Sequence, residues 1–179
     1  MKDPLKPDEY VTRVASIDFQ ALAERGIRYF CFDVDNTLVP QHGHEIVPCA
    51  KAAIAAARKA GYIEDICLIS NVMFRGRRIQ RLEKIAAELS IEKVFPALLF
   101  TRKPGPTPFR WALEKLGSQP EHTCMVGDQI FSDILGGNRF GFHTILVTSL
   151  GQDHWSTRLT GRRSRERRLI ARYGLKPRE

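Results

Sequence analysis

The sequence predicts an α/β fold, a mostly parallel sheet with helices on both faces. Two patterns carry that expectation. Short apolar runs of strand length alternate with longer segments whose apolar residues recur at helical spacing. Polar residues able to do chemistry follow three of the apolar runs directly, at the edge where an open α/β sheet presents its ligands. At 179 residues and 43% apolar, the chain suffices for one such domain with a sizeable core and is too short for two.

Residues 9 to 25 read as an N-terminal helix with breaks, and 27 to 33, rich in Tyr and Phe, as the first strand. Val47 to Lys59 is an Ala-rich helix started by Pro48 and stopped before Gly61. Ile63 to Ser70 is the second strand. Arg77 to Leu89 places Ile79, Leu82, Ile85, Ala86 and Leu89 on one helical face with charges between them. A short strand near Val94 and Phe95 and an apolar segment, Ala97 to Phe100, lead to Lys103. Pro106 to Leu116 is a helix, His122 to Val126 a strand, Ser132 to Phe140 a helix and Thr144 to Val147 the last strand.

No stretch approaches the run of about 18 apolar residues that a membrane span needs, and the first nine residues hold no apolar signal core, so a cytoplasmic protein is expected. The four cysteines agree, because Cys31, Cys67 and Cys124 fall inside core strands, and no CxxC or Cys/His metal spacing occurs.

The most informative stretch is Asp33-Val34-Asp35-Asn36-Thr37, directly after the first strand. In extended chain, positions 33 and 35 project to the same side, so two carboxylates would crowd one small volume. A cation relieves that repulsion, and a hard divalent ion such as Mg²⁺ suits oxygen donors with no His or Cys nearby. A plain turn with an N-cap would use the same residue types at 35 to 37. His42 and His44 follow in the next loop and read as solvated, while His122, His143 and His154 have no visible partner.

Four stretches in order resemble the four motifs of the haloacid dehalogenase (HAD) superfamily of phosphohydrolases: Asp33 to Thr37, Ser70 with Asn71, Lys103 in Thr101-Arg102-Lys103-Pro104, and Gly127-Asp128-Gln129-Ile130-Phe131-Ser132-Asp133. The likeness spans residues 29 to 147. Asp-Asn-Thr-Leu-Val, Lys-Pro-Gly-Pro and Gly-Asp-Gln followed by Gly136-Gly137-Asn138-Arg139 are similar to the YqeG family of HAD subfamily IIIA, which is related to mitochondrial phosphatidylglycerophosphate phosphatases. The resemblance implies a Rossmann-like HAD core, Asp33 as nucleophile and Asp35 as acid and base. It implies Mg²⁺ held by Asp33, Asp128 and the Asp35 carbonyl. Lys103 would offset phosphoryl charge, Thr37, Ser70 and Asn71 would bind substrate, and Asp133 would orient Lys103 or ligate through water.

Between Asp33 and Ser70 lie 36 residues, and between Lys103 and Asp128 only 24, too few in either gap for a cap domain. The site is therefore expected to be open, which suits a phosphate carried on a large object. From Gln152 onward nine Lys or Arg face three acids, so +6 of the formal +8 lies in the last stretch of chain. The expected division is a capless phosphatase domain over 1–150 and a basic helical tail over 151–179. With Leu169, Ile170 and Tyr173 as its apolar edge, that tail reads either as a surface for anionic lipid or nucleic acid, outside the chemistry, or as a solvated terminal helix with i to i+4 ion pairs. Three functions stay open at this point: a phosphatase of a large or membrane-borne phosphomonoester such as phosphatidylglycerophosphate, a phosphatase of a soluble metabolite or nucleic-acid end, and an RNA- or ribosome-binding protein.

Overall fold

The computed structural model describes residues 3–41, 43–72, 76–151 and 161–179. His42 and His154 lie outside them. Six strands form one sheet: β1 (Glu9–Val11), β2 (Tyr29–Phe32), β3 (Asp65–Asn71), β4 (Lys93–Ala97), β5 (Thr123–Gly127) and β6 (His143–Val147). Their order is β1-β6-β5-β2-β3-β4, and every pairing is parallel. The helices are α1 (Phe19–Glu24), α2 (Pro48–Lys59), α3 (Arg77–Glu88), α4 (Thr107–Leu116), α5 (Leu135–Arg139) and α6 (Arg162–Arg172).

Helices cover both faces, which is why the strands are apolar at consecutive positions rather than alternate ones. On one face Phe30, Phe32, Ile66, Leu68 and Val126 pack against Leu22 of α1, Ile54 of α2 and Leu82 and Ile85 of α3. On the other, Cys31, Cys67, Ile69 and Met125 meet Phe109, Ala112 and Leu116 of α4. The three core cysteines are free and buried, as their place in the strands implies. Gly136 of α5 is an enforced choice, because a Cβ there would lie 2.2 Å from the Phe109 ring.

From β2 the chain steps outward through β3 to β4, then crosses back to β5 on the other side of β2. The strand order thus reverses between β2 and β5, and the crevice beyond their C-terminal ends is where such a sheet binds ligands. One helix fills each of the β2–β3 and β4–β5 connections, so no cap domain is inserted at either.

Two expectations need correction. Residues 9 to 25 are not one broken helix: Glu9–Val11 is an edge strand, followed by a single 3₁₀ turn and the short α1, capped by Asp18 accepting from Ala21 N at 2.9 Å. The strand is held by non-local partners, β6 in the sheet and Arg178, whose backbone N–H donates to Tyr10 O at 2.9 Å. His143, which shows no partner in the sequence, pairs with Glu9 at 2.9 Å and ties the same two strands. The stretch Ser132 to Phe140 is likewise not one α-helix, since a π-helical turn over Ile130–Ile134 precedes α5.

The basic C-terminal stretch does form a helix, α6, but it is docked. Leu169 and Ile170 pack against Ile130, Ile134 and Leu146, and Glu166 is 3% exposed. The apolar edge that reads as an interaction surface is spent on the domain itself.

Candidate active site

The carboxylate after β2, the amide ending β3, the lysine after β4 and the two acids after β5 converge at the C-terminal edge of the sheet. Lys103 is at their centre. Its Nζ lies 2.7 Å from Asp33 Oδ1, 2.7 Å from Asp133 Oδ1 and donates to Ile69 O at 2.7 Å, with its side chain 1% exposed. Asn71 holds the lysine's backbone from both sides, accepting from Lys103 N at 2.9 Å and donating to Lys103 O at 3.3 Å. The Asn71 amide also donates to Ser132 Oγ at 3.3 Å, which links the ends of β3 and β5.

Thr37 donates to Asp33 Oδ2 at 3.3 Å, Ser70 is buried at the end of β3, and Asp133 accepts from Gln129 N at 3.1 Å. Gly127 makes room for that last carboxylate: a Cβ there would stand 2.4 Å from the Asp133 carboxyl. Asp33, Asp128 and Asp133 each offer an oxygen within 4.8 Å of the others, all buried.

Three buried acids, Asp33 and Asp133 on Lys103 and Asp128 on Arg163, are electrostatically unfinished. Burial pushes the Asp33 carboxyl up to about 8, against the pull of Lys103, and burial likewise raises Asp128 to about 7. Burial would lower Lys103, but Asp133 and Asp33 outweigh it and hold the ammonium above its usual range. Asp128 Oδ1 is buried with no hydrogen-bond partner among the described residues. An all-oxygen, acid-rich cluster with an orphaned carboxylate oxygen fits a hard divalent cation.

The crowding expected between Asp33 and Asp35 takes a different form. β2 ends at Phe32, and the chain turns through Asn36 at φ 64°, so strict alternation fails beyond the strand. Asp33 is crowded by Asp128 and Asp133 from beyond β5. Asp35 turns instead to Arg81 of α3, whose Nη2 donates to Asp35 Oδ1 at 2.8 Å while its Nε donates to Gly43 O at 2.6 Å.

Arg163 of α6 was invisible to sequence reasoning. Its Nη1 donates to Asp128 O at 2.6 Å, its Nη2 to Asp128 Oδ2, and Nη1 again to Glu166 Oε2 at 3.0 Å. The helix thus reaches the acidic cluster directly. The only local hint was an acid at i+3 from one arginine among many.

Residues 100–162 match the HAD-hydrolase-like family model. Over 166 residues, 92% of this chain and 89% of the relative, the sequence is 30% identical to "Probable phosphatase YqeG" of Bacillus subtilis. The chain belongs to the YqeG family of HAD phosphatases. It is also 30% identical over 178 residues to "Phosphatidylglycerophosphate phosphatase 1, chloroplastic/mitochondrial" of Arabidopsis thaliana, of whose length it spans about half, 49%. Among solved structures, the fold is similar to an uncharacterized protein from Listeria monocytogenes (TM-score 0.57, 21% identity, 72% of this chain and 84% of that one). It is similar too to a putative beta-phosphoglucomutase from Thermotoga maritima (TM-score 0.54, 16% identity, 75% and 91%). This YqeG-family chain is therefore a phosphatase with the HAD fold. No helix among the described residues is long and apolar enough to cross a membrane.

Proposed function

We propose that the protein is a Mg²⁺-dependent phosphomonoester hydrolase that works through an aspartyl-phosphate on Asp33. The observation that carries the reading is the buried cluster of Asp33, Asp128 and Asp133, with Lys103 on the first and last and with Asp128 Oδ1 unpartnered among the described residues. Asp33, Asp128 and the carbonyl of Asp35 would hold the ion. When bound, it supplies the positive charge that lets a carboxylate approach a phosphate dianion.

The chain's own residues do the rest. Asp33 attacks phosphorus as the bond to the leaving alcohol oxygen breaks, and Asp35 gives that oxygen a proton. Asp35 then takes a proton from water, whose oxygen attacks the aspartyl-phosphate and releases inorganic phosphate and free Asp33. Arg81 fixes the Asp35 carboxylate in orientation between the two proton transfers. Lys103, kept protonated by two acids, offsets charge on the transferring oxygens. Thr37 and Ser70 would bind the phosphoryl group, Asn71 would act through the Lys103 backbone that it clamps, and Asp133 steadies Lys103.

In this reading the catalytic domain is residues 1–150, and 151–179 is a basic segment whose helix α6 is clamped onto it. With no cap inserted among the described residues, the site suits a phosphate borne on a large or membrane-held molecule. Phosphatidylglycerophosphate is the substrate we favour, supported by the likeness to the Arabidopsis phosphatase. Hydrolysis of p-nitrophenyl phosphate tests the chemistry: turnover should require Mg²⁺ and vanish in Asp33→Asn, whose amide keeps the shape and loses the nucleophile. Activity that persists in that variant, or with metal chelated, defeats the mechanism.

A further inference from the structure

Among the described residues two large apolar side chains are exposed, Leu99 at 68% and Phe100 at 95%. They are neighbours in one 3₁₀ turn, Leu99–Thr101, that runs directly into Arg102 and Lys103. Because all the strand pairings are parallel, this turn after β4 lies on the same edge of the sheet as Asp33, Asn71 and Asp128. The turn is braced: Leu98 N donates to Thr101 Oγ1 at 3.0 Å, and Thr101 Oγ1 donates back to Leu98 O at 3.1 Å. Its apolar side chains are therefore held out to solvent by a defined local structure at the mouth of the site.

Along the chain on either side of the turn the charge is of one sign. No acid occurs between Glu92 and Glu114, while Arg102 and Arg110 are exposed. The first turn of α3, the helix that follows the adjacent strand β3, carries exposed Arg77 and Arg78, and the sequence has no acid between Asp65 and Glu83. Large apolar side chains set in a basic rim match an anionic bilayer surface, whose headgroup–acyl boundary accepts Leu and Phe and whose phosphates attract arginine. The C-terminal helix cannot play that part with its apolar edge, since Leu169 and Ile170 are packed on Ile130, Ile134 and Leu146.

We propose that the Leu99–Phe100 turn, with Arg77, Arg78, Arg102 and Arg110, docks the protein on an anionic lipid bilayer and holds the open site against its surface. This deepens the reading as a phosphatase of membrane-borne substrate and rests on it for its purpose. A soluble substrate would need no such edge.

The full chain is sedimented with vesicles of equal parts phosphatidylcholine and phosphatidylglycerol, and with vesicles of phosphatidylcholine alone. Binding to the mixed vesicles should be strong and salt-sensitive, and should weaken about tenfold when Leu99 and Phe100 are both changed to Ser, as expected for lost insertion of two apolar side chains. A Phe100→Trp variant should shift its emission to the blue on the mixed vesicles and not on the neutral ones. Turnover of p-nitrophenyl phosphate and the melting temperature should be unchanged in the double Ser variant, since neither side chain packs in the core or touches the site. Unchanged vesicle binding in that variant overturns the proposal, as does a Trp emission indifferent to lipid. A dimer in free solution that the double substitution disperses also overturns it, and assigns the turn to a second copy of the chain. Absence of Mg²⁺-dependent aryl phosphate turnover counts against the phosphatase mechanism alone, because vesicle binding is read without any reaction.

Discussion

Arg163 donates to both the backbone carbonyl and the carboxylate of Asp128, a residue 35 positions earlier in the chain. The arginine takes Oδ2 and leaves Oδ1 buried with no hydrogen-bond partner among the described residues. A helix that reads in the sequence as a surface appendage is therefore part of the electrostatics of the site. Breaking a buried ion pair from one side strands the other charge. Arg163→Ala should thus cost about 2–4 kcal/mol of stability in metal-free protein. Added Mg²⁺ should recover much of that loss, because it supplies charge to the same acids. The check is thermal melting with and without Mg²⁺: the rise on adding metal should be larger in the variant than in the unaltered chain, and an equal rise would refute the role given to Arg163.

Asp33→Asn should leave the metal-free protein as stable as before, or more so. The substitution removes one of three crowded carboxylates, and one whose charged form burial opposes. Melting of the chelated protein decides this, and a clear drop would mean that the Asp33–Lys103 pair is needed for folding.

The pH profile follows from the same raised groups. Asp33 and Asp128 sit at about 8 and about 7 in the fold, against an ordinary 3.8. The folded chain thus holds protons that the unfolded chain releases, and stability from these groups falls as pH rises from about 4 toward about 8. Mg²⁺ held by these acids as proposed would replace those protons, so its stabilising effect should grow over the same range. Melting curves at about pH 6 and about pH 8, each with metal and with chelator, test the sign. Asp33→Asn should flatten the chelated profile. A chelated protein that gains stability between those two values would contradict the account.

Gly127→Ala places a methyl group 2.4 Å from the Asp133 carboxyl, which must then move away from Lys103 and Gln129 N. We expect a loss of about 1–3 kcal/mol from overpacking, and a fall in Mg²⁺-dependent turnover of about tenfold or more from a mispositioned lysine. Melting and aryl phosphate turnover measured on one preparation would separate the two effects.

Much of the site was legible because its residues follow apolar runs at strand ends, where local pattern and topology coincide. Asp33, Lys103, Asp128 and Asp133 meet as the motif order implied, and Asn71 proves to be the clamp on the Lys103 backbone. What escaped was non-local. Glu9-Tyr10-Val11 has too few residues for a periodic signal, and it becomes a strand through β6, His143 and Arg178. The alternation argument held only inside β2: beyond Phe32 the chain turns, sending Asp35 to Arg81. Leu169 and Ile170 formed an apolar edge whose destination, the patch of Ile130, Ile134 and Leu146, no local rule could name.

The reversal of strand order between β2 and β5 also bears on when the site can exist during folding. β2 gains one neighbour, β3, from the segment that follows it through α2, but its other neighbour arrives only after β3, α3, β4 and α4 have been made. Asp33 and Asp128 therefore meet by closing a long loop, an entropically slow event of the kind that delays folding in chains rich in distant contacts. Arg163 closes a further loop on top of it. A chain emerging in order would thus carry Asp33 without the acids that crowd it until Asp128 and Asp133 have followed, and only then could the three carboxylates be gathered.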